Sequence, residues 1–202
     1  MLEGAMGRSA LESIVLGAGA SRVVWTDDHV VGLIGRDKLG TRRVWTHAVL
    51  RWLLDQGIIE NDRYLRATVR LVGWQYIFTG VNPAVMRMAG NQSVWRTDRW
   101  PLKQAINYMS LGVVRSDDAA LLGARLVADG YLDVVLPDLR RVLLQAVAES
   151  LAGREDADRT IRLFAYALPR VFGLNAAGQA DALLTLDAWR REYRRRVVQA
   201  PG

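Results

Sequence analysis

The stretch that decides the fold runs from Val23 to Ile59 and reads VVWTDDHVVGLIGRDKLGTRRVWTHAVLRWLLDQGII. With Arg22 ahead of it, RVVW is a short apolar, β-branched run that suits a buried strand. Thr26-Asp27-Asp28 ends that strand and opens a helix, expected from Asp27 to about Leu39 and closed by Gly40. RVW at residues 43–45 repeats the strand pattern. Thr46 stands where an N-cap would stand, and HAVLRWLLDQ forms a second helix that ends at Gly57. Strand, helix, strand, helix is the grammar of a βαβ unit. The two strands are therefore expected as neighbours in one parallel sheet, joined by a right-handed crossover.

Working outward, Ile58-Ile59 leads into a helix expected over Glu60 to Val72, with Tyr64, Leu65, Thr68, Leu71 and Val72 on one face. Tyr76-Ile77-Phe78-Thr79 reads as a further strand. Asn82-Pro83 opens a short helix, since proline is tolerated in a first turn. Asn91 to Arg99 reads as a polar loop. Everything beyond it reads as helical. Pro101 begins one helix and Ser116-Asp117-Asp118 caps another. Leu139, Val142, Leu143, Ala146, Val147 and Leu151 form one apolar stripe, and Ile161, Phe164, Ala165 and Leu168 form the next. Pro169 is expected to kink that helix. Leu186, Trp189, Tyr193 and Val197 line the last one. The expected fold is a partial α/β parallel sheet with helices over residues 9–90, then an all-α region over 91–202, after a flexible lead at 1–8.

The chain has 202 residues, half of them apolar, which is enough for a real core. It has no cysteine, which excludes disulfides and thiolate metal sites. No apolar run approaches the ~18 residues of a membrane span, and no basic cluster precedes an apolar core near the N-terminus. A cytoplasmic location is the expectation. The net charge is +6 and the pI about 10.1. That balance favours nucleic acid or another polyanion as partner. Arginine supplies most of it, and composition bias alone also produces such a balance.

The quoted stretch resembles the C-terminal half of PIN-domain proteins. In that family an apolar strand ends in paired aspartates, a helix follows, and a second short strand leads to a threonine-started helix. Here Val23–Trp25, Asp27, Asp28, Thr46 and the Gly57-Ile58-Ile59 ending carry the likeness. RLVGWQYIFTGVNPAVM and DRWPLKQAINY look like the continuation of PIN-like modules in large bacterial multidomain proteins. The resemblance covers residues 9 to about 110. It implies a metal-dependent ribonuclease relative, in which clustered carboxylates hold Mg²⁺ or Mn²⁺ to activate water. Asp27 and Asp28 would then be metal ligands and catalytic residues. Glu12 is the candidate for the helical glutamate, about one turn from the position the family pattern gives. The family's first-strand aspartate has no counterpart ahead of Ser9. The resemblance thus implies an incomplete or degenerate site, or a fragment of a larger nuclease. An upstream or associated polypeptide, or a second copy, would supply the missing carboxylate.

The residues also support a plainer reading. Thr-Asp-Asp at a helix start is a good cap, because the acids meet the positive helix end. Ser116-Asp117-Asp118 repeats the arrangement in the helical region. His29 and His47 each follow a helix start, and two histidines with no nucleophile legible in the sequence do not define a catalytic or metal site. Trp25, Trp45, Trp52 and Trp74 lie in apolar patterns that point to core packing. Trp95 and Trp100, flanked by Arg96 and Arg99, are the best candidates for exposed indoles that could stack bases, with packing of their loop on the domain as an equal alternative. Arg190, Arg191, Arg194, Arg195 and Arg196 form the densest basic cluster, either a solvated helix face or a nucleic-acid contact. No Gly-rich phosphate loop occurs, so nucleotide hydrolysis has no support. Two functions follow: a PIN-like module acting on RNA, or a non-enzymatic interaction scaffold whose helical tail docks a partner.

Overall fold

The computed structural model describes residues 8–19, 21–76, 79–133 and 136–199. Among them the chain forms ten helices and a two-stranded parallel sheet. The order is α1 (Arg8–Gly17), β1 (Val23–Trp25), α2 (His29–Leu39), β2 (Arg42–Val44), α3 (Thr46–Asp55), α4 (Asn61–Gly73), α5 (Pro83–Gln92), α6 (Leu102–Tyr108), α7 (Ser116–Asp133), α8 (Pro137–Ala152), α9 (Ala157–Val171) and α10 (Ala176–Gln199). The chain divides into two compact units between Tyr64 and Leu65, inside α4. Residues 1–7 of the expected lead lie outside the described residues, as do Ile77 and Phe78 of the strand expected at 76–79.

In the first unit β1 and β2 pair in parallel, with Val23 opposite Arg42, Val24 opposite Arg43 and Trp25 opposite Val44. This is the βαβ neighbour relation expected from the sequence. The boundaries differ by a residue or two. Asp28 is the N-cap of α2, so the helix begins at His29 rather than Asp27. Trp45 keeps an extended backbone but is the N-cap of α3, so β2 ends at Val44, and Thr46 is the first helical residue rather than the cap. Gly40 closes α2 in the left-handed region at φ 63°, as its lack of a Cβ permits. Ile14, Val24, Val31 and Tyr64 are the buried hydrophobic residues of this unit. Gly32 leaves room for the Arg43 guanidinium, since a Cβ there would stand 1.9 Å from Nη1. Arg43 in turn lies 3.5 Å over the Trp45 ring.

Among the described residues the second unit is helix apart from its connections, as the reading of residues 91–202 expected. Its centre is α7, whose small residues Ala119, Ala120, Gly123, Ala124 and Ala128 are buried and let neighbouring helices approach closely. α8, α9, α5 and α10 all pack against it. In α8 the buried residues are Leu143, Leu144, Val147, Ala148 and Leu151, so the stripe is rotated by about one position from the expected one, and Val142 is exposed. Ile161, Phe164 and Leu168 are buried as expected, and α9 runs through Pro169 to Val171. Val197, expected on the apolar face of the last helix, is exposed, because the burial of α10 ends at Trp189 and the half-buried Tyr193.

The tryptophans depart most from expectation. Trp25, Trp52 and Trp74 are exposed rather than core, and Trp45 is half-buried. The elements that carry them are short or lie at the surface, and α3 buries no residue at all. Of the pair left open between surface stacking and loop packing, Trp95 is packed at only 5% exposed, and Trp100 is exposed. Val94 and Trp95 adopt positive φ of 50° and 57°, and this corner turns the Trp95 ring onto Gly90 and Gly130.

Candidate functional site

The paired aspartates lie at the turn from β1 into α2. Thr26 Oγ1 accepts the Asp28 backbone N–H at 3.2 Å, which sets the turn. Asp28 Oδ1 then accepts from the N–H groups of Val30 at 2.8 Å and Val31 at 3.0 Å. That is a side-chain N-cap, satisfying donors that every helix start leaves unpaired.

Asp27 points elsewhere. Its Oδ1 accepts the backbone N–H of Thr46 at 2.8 Å, and its Oδ2 accepts the Thr46 hydroxyl. Trp25 Nε1 donates to the same Thr46 oxygen at 2.8 Å. The N-cap of α3, Trp45, makes no side-chain cap bond. Asp27 therefore performs that task from the neighbouring strand and puts its charge at the positive end of α3. Two successive carboxylates cap two successive helices. His29 stacks on Trp45 with planes 8° apart, and His47 Nε2 lies 3.0 Å from the Tyr64 hydroxyl. Burial, with the charge of Arg51, holds the His47 imidazole below its ordinary pKa.

A divalent cation would need several oxygen ligands converging on one point. Both oxygens of Asp27 are engaged by Thr46, and one oxygen of Asp28 by the start of α2. Glu12 is exposed on α1. Among the described residues, no group of three or more histidines and carboxylates could hold a metal ion. The donor set does not fit the Mg²⁺ or Mn²⁺ site that the PIN resemblance implies.

The arginines of α10 do not act as one patch. Arg190 is half-buried and donates to the Ile161 carbonyl at 3.4 Å. Arg195 pairs with Glu192 at 3.5 Å, and Arg196 with Glu149 at 2.6 Å. The Trp189 indole donates to the same Glu149 oxygen at 2.9 Å. Arg191 and Arg194 are exposed.

Two features escaped the sequence reading. The first is a half-buried polar hub. Arg154 donates to the carbonyls of Met109, Leu111 and Val114 at 2.7–3.0 Å and to Asp156 at 2.9 Å. Asp156 also accepts from Ser116 and Thr160. The Ser116 hydroxyl, then Arg154, hold its carboxyl well below the usual range, at about 2. Every donor group of Arg154 is used on its own chain, so this is a clamp on the loop before α7 rather than a ligand site. The second feature is an aromatic and basic surface around Trp74 and Trp100. Trp100 and Arg99 were legible in the sequence as a candidate exposed pair, and the Arg70–Trp74 spacing of one helical turn was the further signal that went unread. Compared with known proteins, the chain matches no family model, and no curated protein and no solved structure is significantly similar to it.

Proposed function

We propose that this chain is a PIN-like module that holds RNA without cutting it. The observation that carries the reading is the Asp27–Thr46 pair, in which both oxygens of the carboxylate expected to bind metal are bonded to a helix start. Releasing them would uncap α3. The basic balance of the chain supports a polyanionic partner, with exposed Arg191 and Arg194 available for phosphates. In this reading the protein works in the cytoplasm. Filter binding of a labelled single-stranded RNA in Mn²⁺, with the bound RNA recovered on a gel, tests it. Retention of intact RNA is expected. Recovery of fragments, or no retention at low salt, contradicts it.

One observation favours a second reading, an interaction scaffold. Among the described residues the sheet has two strands, and both are edges. Parallel sheets are ordinarily covered on both faces, and two-stranded sheets are marginal alone. Val23 and Trp25 are exposed on β1, beside a groove of about 440 Å³ lined by Leu16, Arg22, Val23 and Trp25. Such an edge suits an added strand from an associated polypeptide. Thr26 N–H bonds toward β2, so by alternation the Trp25 N–H faces the open edge. Fast amide exchange at Trp25 in the isolated chain is expected. Strong protection there would count against an open edge.

A further inference from the structure

Two segments of the second unit meet at a surface that neither the PIN likeness nor the arginine-rich helix accounts for. The last turn of α4 continues into Trp74, whose N–H donates to the Arg70 carbonyl at 3.0 Å. Arg70 and Trp74 therefore share one side of the helix. At the start of α6, the Lys103 N–H donates to the Arg99 carbonyl at 2.9 Å, which aligns those two cations in the same way. Trp100 joins the two segments. A Cβ on Gly73 would stand 2.5 Å from Trp100 Nε1 and 2.7 Å from Cε2, so the indole rests on bare backbone beside Trp74.

The result is a pair of open rings among cations. Trp74 is 68% exposed and Trp100 47%. Arg70, Arg99 and Lys103 are exposed. The nearby acid, Asp98, bonds to Arg96 at 3.3 Å, and Arg96, with a smaller effect of Arg99, keeps its carboxyl below the usual range. The same two segments enclose a hollow of about 150 Å³, lined by Val72, Gln75, Gln104, Asn107, Tyr108 and Leu111. That is below the ~300–1,000 Å³ of drug-sized sites and suits a single ring system. Its walls are apolar, and its polar edge is three carboxamides, each able to donate and accept. Gln75 is held there at φ 58°, a left-handed backbone uncommon for a residue with a Cβ.

Stacking faces, cations spaced by one turn, and carboxamides that can pair with a base edge or a 2′-hydroxyl are the components of single-strand recognition. A duplex would hide the ring faces that Trp74 and Trp100 need. Resting on the RNA reading above, we propose that Trp74 and Trp100 stack bases of single-stranded RNA, with Arg70, Arg99 and Lys103 against its phosphates and the carboxamide hollow taking one base edge.

The test is fluorescence anisotropy of a fluorescein-labelled oligouridine with the full chain, repeated over a salt series. Trp74→Ala and Trp100→Ala are each expected to weaken binding by about 5- to 160-fold, the range that loss of one stacked base gives. Trp52→Ala, an exposed tryptophan of the first unit, is expected to bind as the parent does. Arg70→Ala and Lys103→Ala are each expected to flatten the log–log salt slope by about 0.7. Gly73→Ala, which displaces the Trp100 ring, should act like Trp100→Ala, with circular dichroism confirming the fold of each variant. Parent-like binding by Trp74→Ala and Trp100→Ala overturns the proposal. So does equal affinity for duplex RNA or for single-stranded DNA of matching sequence, or no RNA binding by the parent. If the parent cuts RNA yet Trp74→Ala loses binding, the non-cleaving function falls and this surface stands.

Discussion

The carboxylate of Asp27, at the end of β1, holds both the backbone N–H and the hydroxyl of Thr46, the first residue of α3. A strand end and a helix start, 19 residues apart in sequence, are tied by one side chain. The tie explains why a helix whose own N-cap is a tryptophan needs no local cap. It also explains why adjacent aspartates diverge, since successive residues at a helix start point in different directions.

Asp27→Ala should destabilise the first unit by about 1–3 kcal/mol, because it uncaps α3 and strands a half-buried N–H and hydroxyl. Asp28→Ala should cost about 0.5–2 kcal/mol, the ordinary value of a lost N-cap. Chemical denaturation followed by tryptophan fluorescence measures both. Parent-like midpoints for Asp27→Ala would mean that the Thr46 bonds contribute nothing and that the carboxylate is free for other work.

Periodicity made the strands and most helices legible because it reports local burial. Val24 is buried between exposed neighbours, and Phe164 and Leu168 sit where their spacing put them. What failed was tertiary. Thr46 looked like an N-cap because threonine caps locally, but its cap comes from Asp27 across the sheet. Trp25, Trp52 and Trp74 looked like core because apolar neighbours flank them, yet flanking residues cannot show whether another element covers the ring. Trp95 in its polar segment could be read either way, and the left-handed corner at Val94–Trp95, which the sequence does not show, turns it inward. Asp27 and Asp28 were legible as residues with two roles, and the partners of their oxygens, which separate those roles, were not.

Leu143→Ala should cost about 2–5 kcal/mol, since Leu143 is fully buried at the centre of the second unit. The converse change should also destabilise. A Cβ on Gly130 would stand 2.2 Å from a Leu143 methyl, so Gly130→Ala should cost about 1–3 kcal/mol by overpacking. Urea midpoints for the two single variants and the double variant measure this. Partial rescue of Gly130→Ala by Leu143→Ala is the expected coupling.

The Asp156 hub sets an acid limit. Its carboxyl titrates at about 2 in the fold against an ordinary 3.8, chiefly through the Ser116 hydroxyl and then Arg154. The folded chain therefore binds this proton less readily than the unfolded chain. The stability it contributes is complete above about pH 4 and is lost as pH falls through about 2. Asp156→Asn should flatten that part of the stability-versus-pH curve, and Ser116→Ala should narrow it. An unchanged acid limb in both variants would remove Asp156 from the account.

The most direct test of the central claim, that Asp27 and Asp28 are helix caps rather than metal ligands, is cleavage itself. A fluorescent single-stranded RNA is incubated with the full chain and Mn²⁺, beside Asp27→Asn and Asp28→Asn forms. The account predicts that the parent leaves the RNA intact and that neither variant differs from it in cleavage. Robust Mn²⁺-dependent cutting by the parent, lost in either variant, would contradict it.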